Sequence, residues 1–205
     1  MTDTTISLRR TALVVVDPQP TFMPGGELPV PDGDAIVTPL VALIRARGHE
    51  FGLIVFSRDW HPHDHFSFAT EPKFEDGSWP AHGVAKTRNA YVHPALLAVC
   101  RELGLRFITI SKGMDKNTEA YSAFDGFELC DRDTLDAALI KHGIKRLLVA
   151  GLAGEVCVEA SAIAGRELGY KVELLENAVG FLGDPAPSLE RMQAAGITVS
   201  STTAV

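Results

Sequence analysis

The chain has 205 residues and a formal net charge of −7, a length suited to one domain with a full core and a charge that argues against nucleic acid or an anionic membrane as partner. Apolar residues make up 46% and charged residues 22% of it, ordinary for a soluble globular protein, and no apolar run approaches a membrane span. Cys100, Cys130 and Cys157 are an odd set without regular spacing, which excludes a disulfide framework and fits a reducing compartment. The first apolar run, Ala12 to Val16, is too short for a signal peptide, so a cytoplasmic protein is expected. No repeat, low-complexity segment or linker divides the chain, and a single domain over 1–205 is expected.

Thr11 to Val16 reads as a buried strand, β-branched and uninterrupted, that ends at Asp17. A carboxylate directly after a buried run must be solvated, paired or used. Residues 17–26, rich in Pro and Gly, form a loop. Asp34 to Arg47 carries apolar residues at helical spacing with Gly48 as its stop, and Pro39 implies a late start or a kink. Phe51 to Ser57 is a second strand. It runs into Arg58-Asp59-Trp60-His61-Pro62-His63-Asp64-His65, the densest group of ligand-type side chains in the sequence. Asp59 and His61 alternate by two, so at an extended strand end both point the same way. With His82 a short loop away, nitrogen and carboxylate donors suit Zn²⁺, Fe²⁺ or Mn²⁺; a polar surface loop is the plainer alternative. Residues 66–92 have no periodicity and read as a long functional loop.

Pro94 to Leu103 is a short helix with Pro at its first position; Cys100 falls on it as a core residue. Arg106 to Ser111 is a third strand, followed by Lys112-Gly113. The loop Met114 to Glu128 is unusually aromatic. Thr134 to His142 is helical. Leu147 to Ala150 is a fourth strand, then come Gly151 and Gly154 and a helix from Val156 to Leu168 with Cys157 near its start. There the helix dipole favours a thiolate, although a small buried core residue explains a lone cysteine equally well. Lys171 to Leu175, a helix Ser188 to Ala195 and a strand Ile197 to Ser200 complete the chain.

This alternation predicts a three-layer, doubly wound α/β fold, with a mostly parallel six-stranded sheet and helices on both faces. Ligands bind at the carboxyl ends of the strands in such sheets. Asp17, Asp59 with His61, Lys112 and Cys157 each follow a different strand, so all fall on that one edge. A doubly wound order makes the first and fourth strands neighbours and brings Asp17 beside Cys157.

On these residues the chain resembles the nicotinamidases, also called pyrazinamidases, of the isochorismatase-like cysteine hydrolases. The resemblance covers nearly the whole length. It is carried by Val14-Val15-Val16-Asp17-Pro18-Gln19 with Phe22 and Pro24-Gly25-Gly26, Asp59-Trp60-His61 with Asp64-His65-Phe66-Ser67, Ser78-Trp79-Pro80-Ala81-His82, Lys112-Gly113, Glu119-Ala120-Tyr121-Ser122-Ala123-Phe124, and Gly151-Leu152-Ala153 with Cys157-Val158. The Asp, Lys and Cys set marks the superfamily. The Asp-Trp-His, Trp-Pro-Ala-His and Tyr-Ser-Ala-Phe pieces together mark the nicotinamidases. One departure stands out: Gly154-Glu155 replaces the usual Thr-Asp, keeping a carboxylate on a longer arm. His63 has no counterpart and stays outside the metal set.

The resemblance implies a catalytic triad of Asp17, Lys112 and Cys157, an oxyanion hole from the N–H groups of Ala153 and Cys157, and a cis peptide between Leu152 and Ala153. It implies one divalent metal, with zinc favoured over iron or manganese, held by Asp59, His61 and His82, with His65 as a fourth ligand in some members. Phe22, Trp79 and Tyr121 would sandwich a flat ring. The expected reaction is hydrolysis of a small carboxamide, nicotinamide and with it pyrazinamide, to the acid and ammonia through a thioester, within NAD salvage. A homo-oligomer is compatible with this. The rivals are another small-amide cysteine hydrolase of the superfamily, and a non-catalytic metal-binding or redox-sensing domain.

Overall fold

The computed structural model describes residues 8–203. Seven strands form one sheet: β1 (Thr11–Val16), β2 (Leu53–Asp59), β3 (Phe107–Lys112), β4 (Phe127–Glu128), β5 (Arg146–Gly151), β6 (Lys171–Val179) and β7 (Thr198–Ser200). Their order is β4-β3-β2-β1-β5-β6-β7. Every pairing is parallel except β3 with β4. The helices are α1 (Val37–Arg47), α2 (Pro94–Glu102), α3 (Leu135–Lys141), α4 (Glu159–Glu167) and α5 (Ala186–Ala194).

Strand alternation sorts the core into two layers. Leu13, Val15, Ile54, Phe56, Leu148 and Ala150 face α1 and α2. Ala12, Val14, Leu53, Val55, Leu147 and Val149 face α3, α4 and α5. β1 is dry on both faces, as expected of a strand central to a parallel sheet. The chain winds outward from β1 through β2 to β3, then returns to place β5 on the other side of β1. The gap between β1 and β5 is therefore the topological switch point, where loops part and leave a crevice.

Two details differ from the sequence expectation, and a third decides between its two alternatives for Pro39. The sheet has seven strands, not six. The additional β4 is a two-residue edge strand, pairing Ser111 with Phe127 and Ile110 with Glu128, too short for a hydrophobic alternation to register. Pro39 lies in the first turn of α1, which is preceded by a 3-10 turn at Gly33–Ile36; the helix starts late rather than kinking. The helix expected from Val156 begins as a wide π turn, Gly154–Val158, and becomes α-helical only at Glu159.

Candidate active site

A carboxylate follows β1, another ends β2, and an ammonium ends β3. Parallel register sets Asp59 directly opposite Lys112 and Val16 opposite Gly151, so Asp17 emerges beside the turn that bears Cys157. Lys112 is 1% exposed and Asp17 is fully buried. The ammonium of Lys112 is the hub: its Nζ lies 2.5 Å from Asp59 Oδ1, 3.0 Å from Asp17 Oδ2, 2.9 Å from the Ala120 carbonyl and 3.4 Å from Cys157 Sγ. The sulfur and the two carboxylates approach within 4.8 Å of one another.

Local bonds fix this arrangement. Asp17 sits at φ 45°, a left-handed conformation that aspartate tolerates better than most residues. Ser57 holds it twice: the Asp17 N–H donates to Ser57 Oγ at 3.1 Å, and that hydroxyl donates to Asp17 Oδ1 at 2.7 Å. The other oxygen, Oδ2, has an ion-pair contact with Lys112 but no aligned hydrogen bond among the described residues. Gln19 crosses to β2, accepting from the Asp59 N–H and donating to the Asp59 and Ala90 carbonyls. Neither Ser57 nor Gln19 was singled out from sequence, although a serine closing an apolar run, and a glutamine two residues after a buried carboxylate, are signals for such bonds.

Electrostatics follow from burial and pairing. Burial dominates at Cys157 and pushes its thiol well up, with Asp17 and Asp59 adding to the effect and Lys112 opposing it. This corrects the expected dipole-stabilised thiolate: Cys157 lies in a buried π turn rather than in the open first turn of an α-helix. Asp17 is raised above the ordinary carboxylate range, by burial and by Asp59 against the pull of Lys112. Burial would lift Asp59 too, yet Lys112, His61 and His82 together hold it well below that range. Lys112 loses its ordinary solvation, but Asp17, Asp59 and Cys157 more than compensate and raise it well above the usual lysine value. In the crevice, burial disfavours the thiolate of Cys157, while the ion pairs favour the ammonium of Lys112 and the carboxylate of Asp59.

Asp59 faces two ways. Its Oδ2 is 3.6 Å from Nε2 of His61 and 3.6 Å from Nε2 of His82. The opposite nitrogens are tied to backbone carbonyls, His61 Nδ1 to Gly113 at 2.9 Å and His82 Nδ1 to Pro80 at 2.8 Å. With Nδ1 donating to a carbonyl, both rings turn Nε2 toward the Asp59 carboxylate, where it carries a proton or binds a metal ion, the arrangement of metal-ligating histidines. Gly113 is required here, because a Cβ would lie 2.3 Å from the His61 ring. Two carboxylates against one ammonium also leave the crevice short of positive charge. On donor type, orientation and charge, Asp59, His61 and His82 fit a divalent metal. His65 stands apart from these three. Its ring packs 4.3 Å from that of His61, and its Nε2 meets the Thr118 carbonyl at 3.2 Å; its ligand-type partners are His61 and Glu119. His65 would have to release Thr118 to serve as a ligand.

A cavity adjoins the sulfur, lined by Phe22, Trp79, Tyr121, Ala153, Cys157 and Leu182 among others. The long loop supplies Trp79 and His82, folded back by bridges pairing Phe68 with Trp79 and His61 with Val84. The Trp79 indole N–H finds no acceptor among the described residues. The peptide between Leu152 and Ala153 is cis.

The model of the isochorismatase domain matches residues 11–204. The chain belongs to the isochorismatase domain family. Among its relatives in that family, a nicotinamidase of Escherichia coli (strain K12) is 33% identical, over 92% of this chain and 93% of that protein. A solved pyrazinamidase of Pyrococcus horikoshii in complex with zinc superposes with a TM-score of 0.76 at 36% identity, covering 94% of this chain and 99% of the other. The yeast nicotinamidase Pnc1p bound to the inhibitor nicotinaldehyde superposes with a TM-score of 0.79 at 28% identity, over 93% and 99%.

Proposed function

We propose that this protein is a cytoplasmic nicotinamidase, an amidohydrolase that converts nicotinamide, and with it pyrazinamide, to the acid and ammonia in NAD salvage. The observation that carries the proposal is the convergence on one ammonium, Lys112, of a buried thiol and two buried carboxylates, under a cavity walled by aromatic rings. The nicotinamidase and pyrazinamidase relatives support the substrate class.

Cys157 is the nucleophile. Burial disfavours its thiolate, so the proton leaves as it attacks, and Asp17 Oδ2, ion-paired to Lys112 but without a hydrogen bond among the described residues, is the acceptor. Sulfur bonds to the carboxamide carbon while the N–H groups of Ala153 and Cys157 stabilise the oxyanion. Asp17 returns its proton to nitrogen as the C–N bond breaks, and ammonia leaves a thioester. Asp17 then takes a proton from water, whose oxygen displaces the sulfur, and passes it to the departing Cys157 sulfur to restore the thiol and the carboxylate. Lys112 stays charged throughout and offsets the negative charge that accumulates between Asp17 and Cys157. Phe22, Trp79 and Tyr121 hold the ring flat. Asp59, His61 and His82 would hold a zinc ion, with His65 beside them, and the ion would supply a Lewis-acidic anchor for the ring nitrogen or its water.

Ammonia release from nicotinamide tests this directly. Chelation is expected to remove most turnover, and stoichiometric zinc to restore it. Cys157→Ala is expected to lower turnover by about a thousandfold or more. Normal turnover in Cys157→Ala would overturn the covalent mechanism.

A further inference from the structure

The turn carrying Cys157 is fastened to the loop after β6 by residues the chemistry above does not use. Gly154 donates its N–H to the Gly180 carbonyl at 2.8 Å. A Cβ on Gly154 would lie 2.2 Å from the Phe181 ring, so that ring takes the space a side chain at 154 would fill. Glu155 reaches across the same gap. Its Oε2 accepts the Leu182 N–H at 2.9 Å and its Oε1 accepts the Gly183 N–H at 2.8 Å. One carboxylate thus closes two consecutive backbone donors with charge-assisted bonds. From the far side, Gly180 donates to the Gly151 carbonyl at 3.1 Å. Leu182, between these anchors, lines the cavity above Cys157 and is 40% exposed, with one flank toward solvent and the other toward the substrate space.

We propose that Gly154, Glu155 and Phe181 form a clamp that sets Leu182 as an apolar lip over the cavity, and that Leu182 is a specificity-determining residue favouring flat, uncharged aromatic carboxamides over those with a charged group on the ring. The proposal rests on the carboxamide-hydrolase reading and deepens it. The chemistry is consistent at each end. A lip of aliphatic carbon stabilises an apolar ring edge by excluding water, and it offers no partner to a charged substituent, which would be desolvated without compensation. Glu155 does not line the cavity and acts only through the loop, so it is a positioning residue. Its length matters: an aspartate in the same place falls one methylene short of the two N–H groups.

The test compares the parent with Glu155→Gln, Glu155→Ala and Leu182→Ser on nicotinamide, pyrazinamide and a pyridine carboxamide bearing a second, charged carboxylate. Losing the clamp or the lip is expected to raise KM for nicotinamide about tenfold with kcat within about twofold, as for a lost ground-state contact. Relative kcat/KM for the charged amide is expected to rise, with Glu155→Gln intermediate because it keeps one acceptor oxygen. Alkylation of Cys157 by iodoacetamide, read on its own peptide so that exposed Cys130 does not interfere, is expected to quicken by about threefold to tenfold when the lip is released. Unchanged KM, substrate ratio and alkylation rate in both Glu155→Ala and Leu182→Ser would overturn the proposal. A fall in kcat at constant KM would overturn it too, by assigning Glu155 to the shape of the cysteine turn. Should Glu155→Ala fail to fold, Leu182→Ser alone carries the test, since it leaves every clamp bond in place. If the parent releases no ammonia from any ring amide, the hydrolase reading fails, while the alkylation rates still judge the lip.

Discussion

Val16 and Asp17 are neighbours, both fully buried, and they stand for two regions held together in opposite ways. Below them the strand interiors are a floor of aliphatic side chains. Each removes its own area from water, and each contribution is largely its own. Above them the rim is equally dry but built of Asp17, Asp59, Lys112 and Cys157. Its charges are not stable there alone; both carboxylates are tolerable because Lys112 opposes them, and Lys112 because they oppose it. Equal burial therefore hides different rules. Changes in the floor should add, and changes in the rim should couple.

Lys112→Met is the sharpest break. It removes the hub and leaves two carboxylates facing one another, at an expected cost of about 3–5 kcal/mol in denaturant unfolding, with turnover lowered by about a thousandfold or more. Adding Asp17→Asn should recover part of that stability, by about 0.5–3 kcal/mol of coupling, and none of the turnover. Strict additivity of the two would mean that the rim follows the rule of the floor.

Ser57→Ala acts at one remove. It strips Asp17 Oδ1 and the Asp17 N–H of their partner, and kcat/KM is expected to fall about tenfold, matching the roughly 1–3 kcal/mol of an unsatisfied buried group. The pH profile carries the clearer sign. Asp17 must be ionised to accept a proton, and its pKa is already raised by burial. The acid limb of kcat/KM should therefore lie above the ordinary carboxylate range, and should move higher still without the Ser57 hydroxyl, which lowers it. Stability runs the other way: the contribution of Asp17 is fully present below the unfolded carboxylate value and is lost as pH rises through the raised folded one. A limb that stays in place in Ser57→Ala would separate Asp17 from the rate-determining proton transfer. Ile54→Val, in the floor three residues before Ser57 on β2, is the smallest expected effect: about 0.5–1.5 kcal/mol in stability, with the acid limb unmoved.

The floor was plain in the sequence because burial there writes itself as apolar runs: Thr11–Val16 and the runs that form β2, β3 and β5 needed no partner to be recognised. So was the placement of Asp17, Asp59, Lys112 and Cys157 on one edge, since parallel strands deliver their successors to the same side. What a linear pattern does not encode is orientation. Nothing in the spacing distinguishes the two oxygens of Asp59, one toward Lys112 and one toward the histidines. The π turn was hidden because Val156 and its successors have an ordinary helical composition, and the raised thiol was hidden with it. β4 carries too few residues for any period. Glu155 was visible as a departure, yet its meaning depended on Leu182 and Gly183, which meet it only in three dimensions.

The two-faced carboxylate of Asp59 has a consequence for how this protein can be tuned. With a cation at the histidines, its negative charge is shared between two neighbours. Without one, the whole charge would fall to Lys112, the same ammonium that serves Asp17 and the sulfur. In the reading proposed above, the histidine site and the nucleophile are thus yoked through one side chain.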